Sequence, residues 1–226
     1  MARRIDLNNS KASIENLITN LQQQKNDAIK KSFNQVAKSF KQIFEKLVPR
    51  GTGNLIMQKK NDNNNNVNVT DDFNSDDDDD DIDNYSGVAI SVSFNSKNDE
   101  QQRIEQLSGG QKSLCAIALI FAIQNCDPAP FYLFDEIDSN LDTQYRISVA
   151  RLIHQLSRNN EDNNNNEGRS RGAQFICTTF RPELLQLSGD KFYGVTFSNK
   201  VSSVNEINKE EAMSFVEGQQ QQQQQS

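Results

Sequence analysis

The sequence predicts an α/β chain entered through one long helix, and three observations predict it. Apolar residues recur every three or four positions from Ile14 to Leu47. A helix apolar on nearly every side is expected from Gln111 to Asn125, and a short, wholly apolar run, Phe131–Phe134, follows it and ends in acids. An amphipathic period, a buried helix and a brief buried strand in succession are the marks of helices layered on a sheet.

The elements follow in chain order. Ile14, Leu17, Leu21 and Ala28 lead into Ile29, Phe33, Val36, Phe40, Ile43, Phe44 and Leu47, with sevenfold intervals 14–21–28 and 29–36–43. Such steps keep a greasy stripe on one helix face. Pro49 and Gly51 should end it. Its first part is polar and glutamine-rich, which suits the last turns of a coiled coil as well as an ordinary amphipathic core helix. Leu55-Ile56-Met57 reads as a strand. Val88, Ile90, Val92 and Phe94 alternate with Ala89, Ser91 and Ser93, as in a half-buried strand. Residues 61–84 between them are nearly all Asn and Asp, so they are expected to interrupt a strand pair as a disordered insert.

The helix from Gln111 must be buried on several sides, and Asp127-Pro128-Ala129-Pro130 breaks it. Phe131–Phe134 fits a strand inside a parallel sheet covered on both faces. A polar-faced helix is predicted near 142–157, then a second Asn-rich insert at 159–172 and a strand over 174–179. Pro182 can open a short helix. Strands near 192–198 and 201–207 precede a last helix at 209–216, and Gln219–Gln225 is low in complexity.

A chain of 226 residues allows one or two domains. Its formal charge of −7 misleads, because nine aspartates fall between Asp71 and Asp83 and without them the charge would be +2. The acidic balance belongs to a solvated run and says nothing about partners of the core. No basic cluster points to nucleic acid. Cys115, Cys126 and Cys177 are too few and too widely spaced for a disulfide framework or a zinc site, and read as reduced, buried thiols. No apolar run is long enough to span a membrane, and the N-terminus lacks the apolar core of a secretory signal.

Two motifs carry chemistry. Ser108-Gly109-Gly110-Gln111 sits where a polar loop meets the start of a helix, which offers unpaired N–H groups and a positive dipole end. Two glycines let the backbone approach an anion closely, and Ser108 adds a hydroxyl donor, so the turn suits phosphate; a plain Ser-capped Gly-Gly loop would look the same. Phe131–Glu136 delivers two adjacent carboxylates at the C-terminal end of a strand, where open α/β sheets place ligands. In nucleotide sites of that kind the first acid, Asp135, holds Mg²⁺ through water, and the second, Glu136, acts as the general base. A strand that merely ends in polar residues is the competing reading. The phosphate cradle G-x-x-x-x-G-K-[ST] is absent from the sequence, so the motifs read as half of a composite ATP site.

Taken in order, Leu107-Ser108-Gly109-Gly110-Gln111, the acid-tipped strand and Leu141-Asp142 resemble the ATP-binding-cassette superfamily, as its signature loop, Walker B strand and D-loop. Asp135-Glu136-Ile137-Asp138 and Gln111-Lys112-Ser113 depart from the transporters and resemble the SMC chromosome proteins. Asp127 to Asp138, Thr178-Thr179-Phe180-Arg181-Pro182-Glu183-Leu184-Leu185 and Asp190 to Val195 are similar to the cohesin branch, the third SMC subunit of eukaryotes. The resemblance covers about residues 12–217 outside the inserts.

The resemblance implies the C-terminal half of an ATPase head. Residues 1–47 would be the end of a coiled coil and its neck, 48–217 the head lobe and 218–226 a polyglutamine tail. It implies that Leu107, Ser108, Gly109, Gly110 and Gln111 meet ATP held by a partner cohesin SMC head. Asp135 and Glu136 would serve ATP and Mg²⁺ bound with the N-terminal half of the same subunit, which carries Walker A. Leu141 and Asp142 would lie at the head–head interface. A kleisin subunit would dock on the neck helix, DNA would be held by the assembled ring, and the setting would be the nucleus and chromosome. Phe180 stands at the switch position, where cassettes often have a His that reads the γ-phosphate. Phe cannot donate that bond, and His154 lies mid-helix and cannot replace it, so slow hydrolysis is implied. The alternative is a catalytically silent structural module of the same family.

Overall fold

The computed structural model describes residues 2–60, 82–96, 99–158 and 173–223. Helix α1 (Ala2–Leu47) leads in, followed by β1 (Thr52–Lys59), β2 (Tyr85–Ser93), the two-residue β3 (Gln102–Arg103), α2 (Gly109–Cys126), β4 (Phe131–Asp135), α3 (Thr143–Arg158), β5 (Gln174–Thr178), α4 (Pro182–Leu187), β6 (Phe192–Ser198), β7 (Val201–Ile207) and α5 (Lys209–Gln223). Among the described residues the strands form an antiparallel sheet β1-β2-β3, a parallel pair β4-β5 and an antiparallel hairpin β6-β7. No described helix is long and apolar enough to cross a membrane.

The long helix answers its ambiguous pattern by being two things. Phe40, Ile43, Phe44 and Leu47 are buried, with Phe40 stacked on Phe44 and Phe44 edge-on to Phe94. Gly53 lets β1 lie against this end, since a β-carbon there would come within 3.0 Å of both Phe40 and Phe44 rings. Further out, Ile14, Leu17, Ile18 and Leu21 stay exposed. The stripe is a core face at one end and a bare seam at the other.

β1 and β2 pair from Thr52↔Ser93 to Lys59↔Tyr85, so the acidic insert does interrupt a strand pair. Its last residues, Ile82–Asn84, form a short 3-10 turn rather than insert; the remaining insert residues and all of 159–172 lie outside the described residues. β3 was hidden from sequence reading, because Gln102-Arg103 has no apolar alternation and is held only by pairing to Ser91 and Val92. The last helix runs on to Gln223, well past the expected 216, because glutamine is a good helix former.

Two expectations of burial need correction. On α2, Leu114, Cys115, Ala118, Phe121 and Ala122 are fully buried, but Ile120 and Ile123 face outward. The parallel pair β4-β5 is covered on one face alone. Tyr132, Phe134 and Phe175 stack with one another, and Phe121 of α2 meets Phe134 and Phe175 edge-on. On the other face Phe131, Leu133 and Ile176 remain 52%, 67% and 50% exposed. A continuous apolar run signals two covered faces; here the second cover is not part of the described residues. The hairpin β6-β7 likewise exposes Tyr193, Val195, Phe197 and Val204.

Candidate functional site

The C-terminal end of β4 and the N-terminal end of α2 are brought together by one loop, residues 136–142. On the strand side Asp135 pairs in register with Thr178 of β5. The Thr178 hydroxyl donates to Asp135 Oδ1 at 2.6 Å and accepts from the Glu136 N–H at 3.0 Å, while the Thr178 carbonyl accepts from the same N–H at 3.2 Å. These bonds hold Glu136 at φ 47°, a left-handed conformation uncommon for a residue with a β-carbon. Strain of this kind persists where surrounding bonds over-determine it, and it gathers at functional sites. Both carboxylates are exposed at the strand tip.

On the helix side Ser108 is the N-cap of α2. Its Oγ accepts from the Gln111 N–H at 3.4 Å, and Gln111 Oε1 accepts from the Ser108 N–H at 3.0 Å, a reciprocal capping box. The capping role and the phosphate role are therefore compatible: an accepting Ser108 oxygen still has its own proton to donate. The two glycines differ. A β-carbon at Gly109 would meet nothing within 4 Å, whereas one at Gly110 would lie 2.5 Å from the Asn140 carbonyl oxygen. Gly109 leaves room for an incoming anion; Gly110 leaves room for the loop. Leu107 and Leu141 are buried in the core and anchor the two turns, so of these motifs Ser108, Gly109 and Asp142 are the positions that reach the surface.

Beneath the loop lies Asp138, fully buried. Thr179 Oγ1 donates to its Oδ2 at 2.6 Å, and its Oδ1 has no protein partner. Burial raises its pKa above the ordinary carboxylate value; the Thr179 bond and the nearby Arg146 and Arg181 charges oppose that shift without cancelling it. The Leu141-Asp142 turn is fixed by Arg146, which donates from Nη1 to the Leu141 carbonyl (3.1 Å), from Nη2 to Thr143 Oγ1 (2.8 Å) and from Nε to Glu183 Oε1 (3.0 Å). The Asp142 carbonyl accepts from the Tyr145 and Arg146 N–H groups and so starts α3. Phe180 stands just past β5, half exposed, on the segment that carries Thr179. His154, on α3, is remote from these groups in sequence and partly buried.

Sequence reasoning missed Asp138, Arg146, Thr178, Thr179 and Glu183 as a working set. The one available signal was a Thr-Thr pair directly after an apolar strand. As for a metal, no described group of three or more His, Cys, Asp or Glu side chains converges. Mg²⁺ asks for less, since it commonly rests on one or two carboxylates with the remaining positions filled by water and phosphate oxygens. Asp135, an exposed carboxylate already oriented by Thr178, fits that requirement.

The chain resembles known proteins over most of its length. Residues 4–203 match a family model described as the RecF/RecN/SMC N terminal domain. The structural maintenance of chromosomes protein 3 of Saccharomyces cerevisiae is 55% identical over 223 residues, which is 96% of this chain and 17% of that protein. The chain thus spans about a sixth of the length of the curated relatives it matches. Among solved structures, the Pyrococcus furiosus Smc head domain with an extended coiled coil, bound to the C-terminal domain of ScpA, is similar at TM-score 0.69 and 31% identity over 97% of this chain and 46% of that one. A second, described as the structural biochemistry of ATP-driven dimerization and DNA stimulated activation of SMC ATPases, matches at TM-score 0.63 and 31% identity over 86% of this chain and 97% of that one. With this likeness running from the helix α1 to the hairpin, the chain belongs to the SMC ATPase family.

Proposed function

We propose that this chain is the C-terminal half of the ATPase head of a cohesin-type SMC subunit. The half rests on the chain's own residues. It carries the signature turn, the acid-tipped strand and the D-loop, and it lacks a phosphate cradle, although the matching family model is described as an N-terminal domain. One observation carries the reading most. The loop that begins at the acids packs, through Asn140, against Gly110 of the signature turn, and the sheet face beside it, Phe131, Leu133 and Ile176, is apolar and bare. A complementary N-terminal half with its cradle would cover that face and bring ATP to Asp135.

In this reading Asp135 holds Mg²⁺, which supplies charge neutralisation on the phosphates when bound. Glu136 takes the proton of the attacking water as general base. Its strained backbone and the two hydrogen bonds from its N–H to Thr178 aim it before substrate arrives, so little reorganisation is left for the reaction. Ser108, the free N–H groups of α2 and the open side of Gly109 receive the terminal phosphate of ATP bound by a partner head. Asp142 lies where the two heads would meet. The exposed seam of α1 supports a coiled-coil partner strand, and the ScpA-bound relative supports a kleisin as the kind of partner; the neck helix is the place the reading gives it. ATP-driven engagement would then open and close a ring on DNA for chromosome segregation in the nucleus.

The test mixes the purified chain with a separately expressed N-terminal half and the partner head. ATP turnover that disappears with Glu136→Gln is the expected result. Turnover that persists in that variant refutes the base, and no turnover in the parent mixture leaves a silent interaction module instead.

A further inference from the structure

We propose that Arg146 and Glu183 are positioning residues, a strut that ties the D-loop to the segment after β5 so that the chain's two half-sites move as one unit. The proposal rests on the functional reading above and adds to it how the cis carboxylates and the trans signature turn communicate.

The loop 136–142 has three attachments. At its start, Glu136 and Asp138 are bonded to Thr178 and Thr179, the residues directly before Phe180. At its end, the Leu141 carbonyl is held by Arg146, whose guanidinium reaches on to Glu183 in the first turn of α4. In its middle, the Asn140 carbonyl lies against Gly110 so closely that no β-carbon fits between them. Segment 178–183 therefore grips both ends of the loop, and the loop's crest supports the signature turn. A displacement of Phe180 by a bound nucleotide would be passed to that loop through Thr179 and Glu183, because packed interfaces of this kind shift between discrete arrangements.

The ion pair is unlike the others among the described residues. Its side chains are 14% and 13% exposed, against 74% and 63% for Lys11 and Glu15. Screening by solvent is small, and the guanidinium makes three directed bonds at once, which fixes geometry as well as charge. Glu183 Oε2 and Asp138 Oδ1 are both buried without a partner.

The experiment uses the full chain in two settings. In the reconstituted mixture with the N-terminal half and partner head, Glu183→Gln and Arg146→Lys should leave the KM for ATP within about twofold and lower kcat about tenfold or more, a split that marks loss of an interaction realised in the transition state. The double variant should be no slower than the slower single one. In the chain alone, hydrogen exchange at the Ser139 and Leu141 amides should quicken about tenfold in Glu183→Gln, with the β4-β5 amides unchanged. Variants that lower thermal stability yet keep the parent kcat, or that leave the loop amides unchanged, overturn the strut. A parent mixture with no ATP turnover defeats the functional reading first, and the coupling with it.

Discussion

The two faces of the β4-β5 pair are made of the same kinds of residue and have opposite surroundings. On one, Tyr132, Phe134 and Phe175 stack over Phe121; on the other, Phe131, Leu133 and Ile176 face nothing that the described residues supply. Strand chemistry alone does not decide which face is core. The neighbour does, and one neighbour is a helix of this chain while the other is proposed to be a separate half. The same contrast runs along α1, buried at Phe44 and bare at Leu17.

The contrast can be broken most forcefully from the packed side. Phe134→Ala should cost about 3–5 kcal/mol of the chain's stability, measured by denaturant unfolding, because it removes an aromatic from three ring contacts and leaves a cavity. Thiol labelling sharpens it next. Cys177 lies on the packed face, and burial together with the Asp138 charge pushes its pKa to about 11. Against a solvated thiol near 8.5, its thiolate fraction at neutral pH is lower by about two orders of magnitude. An Ile176→Cys substitution, one residue away on the bare face, should therefore react with maleimide about a hundredfold faster, and equal rates would mean both faces are equally open.

Asp138 gives a smaller, pH-dependent effect. Its raised folded pKa means that the folded state holds the proton more tightly than the unfolded chain, so its contribution is fully present below about pH 3.9, the unfolded carboxylate value, and is lost as pH rises through the folded pKa. The melting temperature of Asp138→Asn relative to the parent should be more favourable at pH 7 than at pH 4. The same substitution should also speed Cys177 labelling. An offset that does not change with pH would remove the buried charge from the account. The smallest effect belongs to the bare face. Leu133→Ser should alter the isolated chain's stability by no more than about 0.5 kcal/mol, while weakening its co-purification with the N-terminal half. A loss as large as that of Phe134→Ala would show that Leu133 is already covered.

How far the sequence could be read depended on whether neighbours in space were also neighbours in pattern. The strand β2 and the helices α1 and α2 announce themselves through periods of two or nearly four, and the paired acids and Ser-Gly-Gly-Gln through local order. The Asp138–Thr179 and Arg146–Glu183 contacts join residues about forty apart, with nothing periodic to mark them. β3 escaped for a related reason, since its two polar residues are strand only because β2 is beside them. The bare face of β4 was misread because an apolar run states that a cover exists, and is silent on which polypeptide provides it.

The hairpin β6-β7 has a practical consequence. Its apolar face, Tyr193, Val195, Val204 and Phe197, is flanked by strand edges that pair with no other described strand. Open edges beside greasy side chains are templates for uncontrolled self-association. Made by itself at high concentration, this polypeptide should precipitate in proportion to how long it waits, and translation alongside a complementary chain should keep it in solution.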